Sequence, residues 1–208
     1  MSTYENRQGF ELDNWPDLRQ MVNDMAKLVF SERTITKEYK QLVFTMASLA
    51  SGCTHCQSHG AFSLKRMGVE TERIQAIWQY ETSELFTDAE RAGLDLVRAA
   101  AQSPNAVGPE HFVELRKHYT DEQIIEIMGV NSFAGWLNRW NDTIATVTDQ
   151  ESVDWALENL TESVGPEAST SAKPTSSAMV TQQALAGQRT NLLMTALWFG
   201  PVSTSLCR

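Results

Sequence analysis

The stretch that decides how this chain folds is Ser48-Leu49-Ala50-Ser51-Gly52-Cys53-Thr54-His55-Cys56-Gln57-Ser58-His59. An apolar helical pattern runs into it, Gly52 interrupts that pattern, and a second helix is expected to start at once with Cys53. Two of the chain's three cysteines stand three residues apart here, so both sulfurs come within bridging reach if Cys53 opens a helix. His59 follows about one turn beyond Cys56, on the same face. Thiol redox chemistry needs such a set: an ionised sulfur to attack, a second thiol to resolve the product, and a base to move protons. A helix N-terminus offers unpaired N–H groups and the positive end of the helix dipole, and both favour a thiolate. Taken alone, this argument makes Cys53 the nucleophile.

Other readings of the same residues bound this one. Two cysteines can be merely buried. A metal site would take Cys53, His55, Cys56 and His59, and zinc does accept such donors. A closed site usually draws on two separated pairs, however. Cys207 lies near the chain's end, His111 and His118 stand alone, and His55 on a helix is expected to point away from the cysteines. No metal is therefore expected. A lone His59 would read as a core or surface residue; its position one turn past Cys56 makes it the candidate proton carrier. His55 reads equally as a polar group at the edge of the site or as an exposed residue.

Working outward, the pattern stays helical. Asn14 and Pro16 suit a helix start, after which Leu18, Met21, Val22, Met25, Leu28 and Val29 recur at steps of three and four. A second helix is expected from Thr36 to Ser51, with Tyr39, Leu42, Val43, Met46 and Leu49 on its apolar face. The cysteine helix should continue through Phe62 and Leu64 to Gly68, and a short helix follows with Ile74, Ile77 and Trp78. Two capping boxes, Thr87-Asp88-Ala89-Glu90 and Thr120-Asp121-Glu122-Gln123, open further helices, the second reaching Ile144. A short helix from Pro109 to His118 lies between them. The last amphipathic piece runs from Val153 to Leu160. No period-two run of β-branched residues occurs. The expected fold is an all-α domain of seven or eight helices over residues 14–160. Beyond it, residues 161–208 form a Ser/Thr-rich, low-complexity tail expected to be largely disordered. Within that tail, the apolar Asn191 to Phe199 is expected to dock on the body or on a neighbouring chain.

Bulk properties narrow the function classes. The 208 residues carry a net charge of −9 and are 42% hydrophobic. The acidic balance argues against nucleic acid and anionic membrane surfaces as partners. No apolar stretch approaches the roughly 20 residues of a membrane span, and no signal or transit peptide is visible. Three cysteines do not make a secreted disulfide framework. A cytoplasmic location is expected, where a Cys-x-x-Cys pair is redox-active or metal-binding more often than structural.

The pattern Cys53-x-His55-Cys56-x-x-His59, after a helix ending Ser-Leu-Ala-Ser-Gly, resembles the alkylhydroperoxidase D-like branch of the carboxymuconolactone decarboxylase family. Glu84 to Arg91, Tyr119 to Glu126 and Asn138-Arg139-Trp140-Asn141-Asp142 are similar as well. The resemblance covers residues 14–160. It implies a helical fold assembling as a homo-oligomer (dimer, trimer or hexamer). It implies a peroxidase acting on a hydroperoxide without metal or organic cofactor, recycled by a dithiol protein or a small-molecule reductant. By the resemblance, Cys56 takes the sulfenic acid and Cys53 resolves it. The family commonly places a relay glutamate 12 residues before the first cysteine; here that residue is Gln41, which cannot carry a proton as a carboxylate does, and Glu38 is the candidate substitute. Some members place the histidine four residues after the second cysteine; here that residue is Gly60. A decarboxylase acting on a lactone acid and a non-enzymatic redox sensor or oligomeric binding protein are the rival readings. Asn138 and Asn141 share a helix face and are expected to hydrogen-bond in the interior more than at the site. Trp136 and Trp140 are expected in the core or at a subunit interface.

Overall fold

The computed structural model describes residues 11–160; the expectations for the 161–208 tail, Asn191 to Phe199 and Cys207 lie outside them. The described residues hold eight α-helices and one 3-10 helix and no strand. They are α1 (Pro16–Val29), α2 (Lys37–Ser51), α3 (Thr54–Arg66), α4 (Thr71–Gln75), the 3-10 helix Ala76–Gln79, α5 (Asp88–Ala100), α6 (Pro109–Leu115), α7 (Asp121–Thr143) and α8 (Gln150–Asn159). None is long and apolar enough to cross a membrane.

The core is built around α2. Thr36 caps its start by accepting from the Tyr39 N–H. Ten of its residues are buried, with Leu42, Val43, Met46 and Ala47 wholly removed from solvent. Burying a side chain such as Leu42 or Met46 stabilises the fold by roughly 1.5–3 kcal/mol. Helices α3, α7 and α5 pack around α2, which explains why its apolar residues wrap most of its circumference rather than one stripe.

Gly52 ends α2 at φ 79°, and its N–H bonds back to Ser48 and Leu49. This left-handed turn is the conformation glycine adopts without a Cβ penalty. The next residue, Cys53, already caps α3. The chain therefore folds directly back, and α3 lies against α2. Gly60 permits the close approach: a Cβ there would sit 2.8 Å from Thr45 Oγ1 and 3.3 Å from the Phe44 ring. Both expected capping boxes form, at Thr87 with Glu90 and at Thr120 with Gln123. The last helix opens earlier than its apolar pattern indicates, at Gln150 rather than Val153, because Asp149 caps it by accepting from the Ser152 N–H at 2.9 Å. It packs on α3, with Trp155 against Phe62 and Gln75 donating to the Asn159 carbonyl at 2.6 Å.

One charged pair lies inside this framework. Lys40 on α2 is 2% exposed, and its Nζ sits 2.6 Å from Glu126 Oε2 and donates to the Ser31 carbonyl at 2.7 Å. The other Glu126 oxygen accepts from the Thr34 N–H and hydroxyl. Burial pushes the Glu126 carboxyl up, but the bonds from Lys40 and Thr34 outweigh it and bring the pKa down to about 2. A carboxylate depressed in the folded state stabilises it above the unfolded value, and that contribution is lost as pH falls through the folded one. We predict that Glu126→Gln, which leaves the Lys40 ammonium buried without a counter-charge, costs about 3 kcal/mol. That corresponds to a Tm loss of roughly 6–12 °C. The wild type should lose this margin between about pH 4.5 and about pH 2. Thermal melts of both proteins check it, and matching Tm values at neutral pH would remove the pair from the stability account.

Candidate active site

The turn at Gly52 places Cys53 at the N-cap of α3 and Cys56 one turn in. Both are buried, each 2% exposed, and both are free thiols with their sulfurs 2.7 Å apart. Cys53 Sγ also accepts from the Cys56 backbone N–H at 3.4 Å. These donors give the two sulfurs opposite characters. The hydrogen bond from Cys56 holds the Cys53 thiol below its ordinary value despite burial, whereas donating that bond, together with burial, pushes the Cys56 thiol up. When the reduced pair gives up one proton, the remaining one is shared and the charge rests on Cys53.

Cys56 is the sulfur that faces an opening. A cavity of about 490 Å³ is lined by Cys56, His55, His59, Gln41, Asn141 and Asp149 on its polar side. Phe30, Phe44, Phe133, Leu137 and Val147 supply its apolar walls, and α1 adds Val22 and Ala26. Cys53 lies behind Cys56 and does not line it.

The structure brings together most of the residues singled out in the sequence and separates others. His59 lines the cavity with its side chain half exposed, and its Nε2 lies 3.0 Å from Asp149 Oδ2. His55 does not point away. It precedes His59 by four residues, one helical turn, so the two rings share a face with centroids 5.2 Å apart. His55 Nδ1 lies 3.1 Å from Thr148 Oγ1. Burial, reinforced by His59, lowers its pKa to about 4, so His55 is neutral at physiological pH. Gln41 also reaches the cavity, but its Nε2 is committed to the Gly60 carbonyl at 3.3 Å. Glu38 does not replace it: its carboxylate turns to Arg73, 3.6 Å away. The two asparagines of α7 divide. Asn138 is structural, accepting from Ser48 and donating to the Ala47 carbonyl. Asn141, expected to serve the interior, instead lies with Nδ2 3.6 Å from Cys56 Sγ, and its Oδ1 accepts from the Thr146 hydroxyl at 2.8 Å. Trp136 and Trp140 stack on each other, half-buried, with centroids 5.2 Å apart and away from the cysteines. Among the described residues no group of three or more His, Cys, Asp or Glu side chains is placed to hold a metal ion.

Asp149 is the residue that sequence reasoning missed. Its one signal is an N-cap residue type just ahead of the last amphipathic run. Burial raises its carboxyl, but the Ser152 N–H and hydroxyl and the neighbouring His59 hold it below the usual carboxylate value. The segment that delivers it leaves α7 through Ala145 at φ 49°, a left-handed conformation unfavourable for alanine by roughly 1–2 kcal/mol.

Comparison with known proteins places the fold. The carboxymuconolactone decarboxylase family model matches residues 16–99. The crystal structure of the debrominase Bmp8 is similar, with 30% identity and a TM-score of 0.67 over 69% of this chain and 77% of Bmp8. The chain belongs to the carboxymuconolactone decarboxylase family. A variant of the same debrominase, in complex with 2,3,4-tribromopyrrole, is 29% identical with a TM-score of 0.66, over 69% of this chain and 79% of that one. The alkylhydroperoxidase AhpD core of a peroxidase-related protein from Ralstonia eutropha JMP134 shares the fold, with 21% identity and a TM-score of 0.61 over 68% of this chain and 76% of that one. The Bacillus subtilis protein YdfG is 22% identical over 127 residues, 61% of this chain and 84% of its own. Its family membership and these neighbours together make this chain an enzyme by kinship.

The unequal sulfurs make a direct prediction. Thiolate absorbance near 240 nm, followed against pH in the reduced full-length protein, should show one of the pair titrating below the ordinary thiol value of roughly 8.5. Its partner should stay protonated well above that value. Cys53→Ser should abolish the early transition. Two transitions at the ordinary value would remove the shared-proton description.

Proposed function

We propose that this family member is a dithiol-dependent reductase that reduces hydroperoxides through Cys53 and Cys56, with an antioxidant role. The observation that carries the reading is the paired sulfurs beside a cavity of mixed polar and aromatic walls, one of them facing it. As a peroxide approaches, the Cys56 proton passes to Cys53, its nearest acceptor. Cys56 Sγ then attacks the terminal peroxide oxygen and the O–O bond breaks. Cys56 becomes a sulfenic acid, and the alkoxide leaves as an alcohol with a proton from His59. Cys53 next attacks the Cys56 sulfur, its proton returning through His59, and hydroxide departs as water. The sum is one hydroperoxide and two thiols giving one alcohol, one water and one disulfide. A dithiol protein or small-molecule dithiol restores the pair by exchange. The order of attack rests on Cys56 facing the cavity, in line with the family resemblance, and it reconciles that resemblance with the greater acidity of Cys53. Met21, Met25 and Leu28 are exposed along α1, an apolar face that supports assembly as a homo-oligomer.

A second reading has its own support. The debrominase is the relative at 30% identity, and the aromatic walls of the cavity suit a halogenated ring. A thiolate attacking bromine would give a sulfenyl bromide while the ring carbon takes a proton. The second thiol would then displace bromide to form the same disulfide.

We predict that the fully reduced protein consumes one equivalent of cumene hydroperoxide within seconds, with loss of two thiols. Cys56→Ser should be inert. Survival of both thiols for hours would refute the peroxidase reading. A parallel reaction with a brominated pyrrole, scored by bromide release, separates the two electrophiles.

A further inference from the structure

Of the described side chains lining the cavity beside Cys56, Asp149 is the one carboxylate. Position 41 carries an amide bonded to the Gly60 carbonyl, and Glu38 is paired with Arg73. Proton transfer at the dithiol needs a base held at a fixed angle, and a half-exposed histidine does not hold itself. We infer that Asp149 is the positioning carboxylate of a His59–Asp149 relay, supplied by the segment between α7 and α8 in place of a carboxylate on α2. The inference rests on the dithiol reading above and extends it to a residue on a different element.

Four observations converge on it. His59 Nε2 lies 3.0 Å from Asp149 Oδ2, an ion-pair contact whose negative charge favours the proton on Nε2 and so leaves Nδ1 as the exchanging atom. Asp149 is itself fixed: both its oxygens accept from Ser152, at 2.9 Å each, as the cap of α8. Helix α8 is held on α3 through Trp155 and Phe62, so the carboxylate and the histidine belong to elements that pack together. Finally, the same short segment makes two further contacts to the site, Thr148 with His55 and Thr146 with Asn141, and Asn141 is the residue nearest Cys56 from α7. The strap from Thr146 to Asp149 thus touches His55, His59 and Asn141, three of the polar groups around the sulfur. His55, neutral and bonded to Thr148, faces His59 from one side and serves as a spacer rather than as a proton donor.

The test uses Asp149→Asn in the full-length protein. Asparagine caps a helix as well as aspartate does, so α8 is retained through the Ser152 N–H, the Ser152 hydroxyl turns to accept from the new amide, and the charge is lost. Single-turnover peroxide consumption is measured for wild type, Asp149→Asn, His59→Asn and the double variant. The expected result is a slowing of about tenfold or more for Asp149→Asn, with an unchanged Tm. The double variant should be no slower than His59→Asn alone, because Asp149 acts through His59. A wild-type rate in Asp149→Asn, or losses that multiply in the double variant, would overturn the inference. Nitrogen-15 NMR of the histidines supplies a readout independent of turnover. The wild type should show His59 as the Nε2–H tautomer, and Asp149→Asn should release it to a tautomer mixture. An unchanged His59 spectrum overturns the relay. If the wild type consumes no hydroperoxide, the functional reading fails alone and the spectrum still decides the role of Asp149.

Discussion

The backbone turn at Gly52 is the constraint on which the site depends. A left-handed residue at the end of α2 sends the chain back on itself, and Cys53 begins the next helix without an intervening loop. The sulfurs therefore sit where the most buried helix of the domain ends and an unpaired helix N-terminus begins. Nothing lies within 4 Å of a Cβ built on Gly52, so its requirement is conformational rather than steric. Gly60, on the same helix as the cysteines, is the opposite case: its φ is ordinary and the neighbouring Thr45 excludes a side chain.

The close contact at Gly60 also explains why the histidine stands at position 59. The face of α3 that carries position 60 is pressed against α2, and the Gln41 amide bonds across that contact. A histidine has no room there. Position 59, one residue earlier, points toward the end of α7 and the start of α8, where Asp149 stands. Two departures from the family pattern, Gln41 and Gly60, are thus one packing arrangement.

Much of this is legible from local chemistry. Capping boxes at Thr87 and Thr120, the proline at position 16 and the glycine stop at 52 act over three or four residues, and short-range signals survive folding. The cysteine pair is legible for the same reason. What the chain order conceals is tertiary. Asn141 meets Cys56 across 85 residues, and no periodicity on α7 distinguishes it from Asn138, which faces the same core three residues earlier. The expectation that His55 points away reckons its angle from the cysteines alone; it lies a full turn before His59 on one face and lines the same cavity as Cys56. Asp149 escapes notice because an apolar pattern marks where a helix becomes buried, at Val153, and not where its first N–H groups need an acceptor.

The N-cap role of Cys53 carries a thermodynamic corollary. The sulfur that closes the first turn of α3 is also one half of the proposed redox couple, so whatever favours its anion favours the dithiol over the disulfide. Reduction potential and helix capping are thereby one linked equilibrium. A pair biased in this way gives up its disulfide readily to an incoming thiol. In the proposed cycle, the helix end that stabilises the anion of the resolving sulfur therefore also eases regeneration of the dithiol.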